Sequence, residues 1–181
     1  MKITLKMMAV ALLAIGLFAC GDNAKKLTHD DMKKAEATLF NEDQSMNMET
    51  APKVAETYCE FVKQNPDDEE ASMWLYHAME INVQLQDADK SIALGKQLVE
   101  QYPQSTWAPM SLFLMGSYVY DDMLKDTAQA HVMFQRVIDE YPDSELVDDA
   151  RKSIEYLGLS PEEIFSRIMM SQIEVAEEEF E

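Results

Sequence analysis

The chain has 181 residues, 47% of them apolar, with 34 acidic and 15 basic side chains and a net charge of −19. That length suits one domain with a full core, and the charge excludes a nucleic-acid binder, since phosphate contact requires clustered Lys and Arg. Five glycines against 14 methionines favour helix, because Gly costs a helix about 1 kcal/mol relative to Ala while Met is a good helix former.

Lys2 and Lys6 flank the start of an unbroken apolar run over residues 7–19. A spanning helix needs about 20 such residues, so the run reads as an export signal. It ends in Leu17-Phe18-Ala19-Cys20, followed by Gly21. This resembles a bacterial lipoprotein signal, in which a small residue precedes the cysteine that becomes acylated. The resemblance implies a signal peptide over 1–19 and lipid on Cys20. Several acyl chains anchor stably where one is marginal. With Gly21 rather than Asp after the cysteine, the resemblance also implies the outer membrane. Cleavage before Cys20 removes two lysines and no acid, which takes the net charge from −19 to −21. Residues 20–27 then form a linker, and 28–181 a single helical-repeat domain. Cys59 lies between Tyr58 and Phe61 on a helical pattern and is expected to pack as a small hydrophobe.

Thr28-His29-Asp30-Asp31 predicts a capping box opening a helix to about Asn41, with Met32, Ala35 and Leu39 as its stripe. Residues 42–51, EDQSMNMETA, read as a mobile loop. The next segments repeat. DADKSIALGKQLVEQYP (87–103) and DTAQAHVMFQRVIDEYP (126–142) align without a gap, and KVAETYCEFVKQNPDD (53–68) is a weaker copy. In the last strong copy Ala130, Met133, Phe134, Val137, Ile138 and Tyr141 form one helical stripe. Ile92, Gly95, Val99 and Tyr102 do so in the middle copy, and Val54, Tyr58, Phe61 and Val62 in the first. Asp87 and Asp126 are candidate N-caps, Gln129 completing a box with Asp126. Proline ends each helix at the same phase, because it lacks an N–H and pushes its predecessor out of helical geometry. Ser105 and Ser144 can then open the helices that follow.

Between the stops, residues 69–86 and 107–124 are apolar nearly all round, as suits helices packed on two sides. Downstream, Leu146, Val147, Ala150, Ile154 and Leu157 make a stripe stopped by Gly158. Ser160-Pro161-Glu162-Glu163 predicts a helix start, with Phe165, Ile168, Met169 and Ile173 as the apolar face. The sum is an all-α chain of about eight helices in four antiparallel pairs.

Leu112, Met115, Gly116, Ala130, Phe134, Val137 and Pro142 resemble a tetratricopeptide repeat, a helical hairpin of about 34 residues that stacks into an α-solenoid. Gly116 and Ala130 stand two residues further apart than that pattern has them, which predicts a longer turn. YPDS and the lipoprotein signal together are similar to the lipoprotein branch of the family, to which a component of the outer-membrane β-barrel assembly machine belongs. Where one repeat has Gly116 and Phe134, the preceding one has His77 and Gly95. The expectation is that the imidazole fills the space of the missing ring.

No HExxH, CxxC, phosphate-binding Gly loop or GxSxG occurs, and the three histidines are scattered. The expectation is therefore a protein that is not an enzyme and takes no cofactor or metal. The resemblance implies a partner-binding face at Trp74, Ala78, Ile81 and Asn82 in one pair and Phe113, Ser117, Tyr120 and Asp121 in the next. Three readings stand: a lipid-anchored envelope adaptor that holds a protein through this face, a structural subunit of an assembly or secretion complex, and a periplasmic binder of a peptide or small ligand drawn by the acidic field. The first requires an open groove near Trp74 and Phe113, and strong salt dependence of binding favours the third. The second requires that face filled and apolar surface elsewhere.

Overall fold

The structure, a computed structural model, describes residues 26–178. Cys20 and the apolar run before it lie outside the described residues. Eight α-helices follow one another: α1 (His29–Glu36), α2 (Ala51–Gln64), α3 (Ala71–Gln84), α4 (Ala88–Gln101), α5 (Trp107–Leu114), α6 (Thr127–Glu140), α7 (Val147–Tyr156) and α8 (Pro161–Glu178). Each of α1 to α7 packs on its neighbour in sequence, and α3 also reaches α5. This is the all-α arrangement of stacked helical hairpins that the repeat predicts.

The repeated signals have one geometry. Asn65, Tyr102 and Tyr141, each before a proline, take φ/ψ of −135/58, −128/53 and −132/56 degrees. Their N–H groups still donate to Phe61, Leu98 and Val137, and the chain then leaves the helix. Asp87 and Asp126 cap as expected, accepting from the backbone of Lys90 at 3.1 Å and Gln129 at 3.0 Å. The second box is not completed by Gln129. The Asp126 N–H instead donates 2.7 Å to the Tyr120 carbonyl. Thr28 and Ser160 open α1 and α8 through Asp31 and Glu163, as predicted. Gly158, at φ +74°, ends α7 in the left-handed region that Gly occupies without strain.

Three expectations are corrected. First, α1 stops at Glu36, and Leu39 reaches the core from the turn beyond it. Second, residues 42–51 are tied down. Asn47 donates to the Leu39 carbonyl at 2.7 Å, Thr50 Oγ1 to the Thr38 carbonyl at 2.5 Å, and Phe40 bridges Met46. Third, the extra residues between Gly116 and Ala130 do not lengthen the turn. They are taken up inside the helix: α5 continues as a π-helical segment over Met115–Met123. A π turn holds more residues than an α turn, so the helix gains residues without a break.

The core runs along the stack through Tyr58, Phe61, Leu75, Met79, Leu98, Leu112, Met115, Val119, Phe134 and Val137, each at most 2% exposed. It thins toward the end. On α7 only Ala150 is fully buried. On α8 Phe165, Ile168 and Met169 of the expected stripe are uncovered, at 65%, 37% and 42% exposed, as is Met170 at 64%.

Candidate binding face

The first helices of the hairpins, α3 and α5 with the start of α7, share a face. Rings tie them together. Trp74 lies 4.8 Å from Tyr58 on α2, His77 lies 5.5 Å from Trp107, and Tyr76 lies 4.9 Å from Trp107 at a tilt of 34°. Such pairs contribute about 0.5–1.5 kcal/mol beyond the area they bury. Phe113 meets Phe134 edge-on at 5.3 Å. On the open side a groove of about 340 Å³ runs between α3, α5 and Leu146. Its walls are Tyr76, Met110, Phe113, Leu114, Tyr118 and Leu146, and Glu80 is its one charged residue. Met110 and Tyr118 are exposed, Tyr118 by 53%. Burial, with the Glu80 carboxylate beside it, pushes the Tyr76 phenol upward. His77 Nδ1 holds Glu80 at 2.8 Å.

Of the residues expected on this face, only Phe113 lines the groove. Trp74, Ala78, Ile81 and Asn82 are buried between helices and line none of this groove. The Trp74 indole N–H has no acceptor among the described residues, and the Asn82 amide donates 2.7 Å to the Ala78 carbonyl. Tyr120 is buried as well, and Ser117 and Asp121 line a separate cavity of about 680 Å³ below the α7–α8 turn. The cause is register. Pro103 and Pro142 lie 39 residues apart, but Pro66 and Pro103 lie 37 apart. The added residues enter at the π segment, so upstream of it the two hairpins align at 37. At that offset Trp74 matches Ser111, Tyr76 matches Phe113 and Met79 matches Gly116: the first and last pairs are buried at both positions, and Tyr76 and Phe113 both line the groove. The 37-residue spacing was the signal that could have found Tyr76.

The same shift removes the proposed exchange of His77 for the absent ring. The side chain nearest Gly95 is Met115, whose Sδ would stand 2.8 Å from a Cβ there. His77 instead sits at the edge of the ring cluster with Glu80. His29 also departs from expectation, since it does more than start a helix. Its Nδ1 lies 2.8 Å from Glu70 and its Nε2 3.0 Å from Asp68, at the entry to α3. Both bonds form together only in the imidazolium, in which both nitrogens donate. Desolvation opposes that charge, but the bonds to Asp68 and Glu70 outweigh it and hold the pKa above its ordinary value.

Stacked helical hairpins with an apolar groove along one side define a helical-repeat scaffold. Residues 110–144, which span α6 and most of the helix before it, match the family model of the tetratricopeptide repeat. The chain is thus an all-helical protein that contains a tetratricopeptide repeat, a module that serves protein–protein interaction. No curated protein and no solved structure matches it.

Proposed function

We propose that this protein is a non-catalytic adaptor of the cell envelope, anchored by lipid at Cys20, that holds a protein partner in the groove between α3 and α5. The observation that carries the reading is that groove, with Met110 and Tyr118 presented to solvent and Tyr76 and Phe113 behind them. Clustered aromatic and Met side chains are what protein interfaces enrich. The groove is open among the described residues, which favours the adaptor over a subunit with that face filled. The lipid and the outer-membrane address rest on Ala19-Cys20-Gly21. The test is affinity capture from detergent-solubilised membranes with wild type and a Met110→Glu, Tyr118→Glu double variant. Both side chains are exposed, so the fold is expected to survive. Loss of the same captured protein supports the groove, and equal recovery rejects it. Mass spectrometry of the mature N-terminus tests the anchor.

The exposed Phe165, Met169 and Met170 favour a second reading, a structural subunit docked through α8. It predicts that charge at Phe165 releases the partner while the groove variant does not.

A further inference from the structure

The groove does not end at Met110 and Leu146. Both side chains also line a larger cavity of about 830 Å³ between the two Tyr-Pro-x-Ser turns, where Pro103, Tyr141 and Pro142 supply apolar wall. The repeat creates this cleft, because two Tyr-Pro-x-Ser stops place two similar turns side by side. Three charged residues line it, Glu140, Asp143 and Glu145, and all are acidic. Glu140 is already paired with Arg136, at 2.6 Å. Asp143 and Glu145 are exposed, and no cation of the described residues bridges either. No Lys or Arg lines this cleft or the groove it joins. A second copy of so acidic a chain would bring like charge to it, which opposes association.

We infer that the turn cleft takes a basic, apolar segment of the partner, its hydrophobic side chain against Pro103, Met110 and Pro142 and its Lys or Arg beside Asp143 and Glu145. This rests on the proposed groove and extends it over the edge of the stack. An apolar anchor fixes position, while the carboxylates steer and discriminate by charge.

The probe is a fluorescein-labelled nonapeptide alternating Lys with Leu, followed by anisotropy against the detergent-solubilised full chain in 50 and 300 mM NaCl. A peptide with Glu in place of Lys is the control. The inference expects binding of the Lys peptide alone. It expects Asp143→Asn with Glu145→Gln to weaken binding at least five-fold and to flatten its salt dependence. Glu42→Gln with Glu49→Gln, which removes the same charge from the α1–α2 connection, is expected to change it less than two-fold. Met110→Glu is expected to abolish the site's preference for Leu over Ser in the peptide. Equal loss in both charge pairs marks mere attraction to an acidic protein and overturns the inference. So does binding of the Glu peptide. If the membrane partner is lost on Tyr118→Glu but kept on the Asp143, Glu145 pair, the groove stands and the cleft does not. Circular dichroism on each variant separates lost binding from lost fold.

Discussion

The ring of Phe134 lies so close over Gly116 that a Cβ there would stand 2.9 Å from its edge. Phe134 is 2% exposed and its ring also packs edge-on against Phe113, so a retreat would disturb the core. Gly95 has an equally near neighbour in Met115, but the near atoms are the end of a flexible side chain. Gly116→Ala is therefore expected to lose about 1–3 kcal/mol by overpacking, and Gly95→Ala to fall within about 1 kcal/mol of wild type, since Ala also gains helix propensity. Urea denaturation of the two variants side by side checks the contrast. Equal losses would mean that the methionine is as fixed as the ring.

Tyr102 spans successive stops. Its hydroxyl donates 2.9 Å to the carbonyl of Pro66, one repeat earlier, and burial raises its pKa. Removing the hydroxyl in Tyr102→Phe keeps the ring and leaves that carbonyl to water. A loss of about 0.5–1.5 kcal/mol is expected, with hydrogen exchange rising first at the α2–α3 turn.

The His29 clamp gives stability a pH dependence. Its folded pKa lies above the unfolded value of 6.5, so the folded state binds the proton more tightly. The contribution is complete below about pH 6.5 and disappears as pH rises through the raised value. The difference in melting temperature between wild type and His29→Asn is expected to shrink from pH 6 to pH 8.5. A difference that grows with pH would show that the ring is held neutral.

Cys59 is half-buried beside Asn82 and Leu94, and burial pushes its thiol upward. The thiolate is the reactive form. Iodoacetamide at pH 8 is expected to label it at least ten-fold more slowly than glutathione, and at the free-thiol rate in 6 M urea. Fast labelling of the folded chain would place the thiol at the surface.

Much of this was legible in the sequence, for reasons that vary by element. The Asn-Pro and Tyr-Pro stops, the Asp87 and Asp126 caps and the α6 stripe are local chemistry. Each is decided by residues within a turn or two, so residue identity fixes them wherever the segment lies. Leu98, fully buried on α4, stands where the gap-free repeat aligns it with the equally buried Val137. The turns before Asp87 and Asp126 put Gln86 and Lys125 at φ of 59 and 54 degrees, which no glycine advertises.

The sequence by itself determined the helices, where they stop and that they repeat. Tertiary structure alone decided which face of α3 and α5 stays open, because that depends on the phase between hairpins. Two residues absorbed at the π segment rotate everything upstream by more than half a turn relative to a constant repeat, about 100° per residue in an α-helix. At that phase Trp74 packs on Tyr58 of α2 while Tyr76, equally buried, backs the groove.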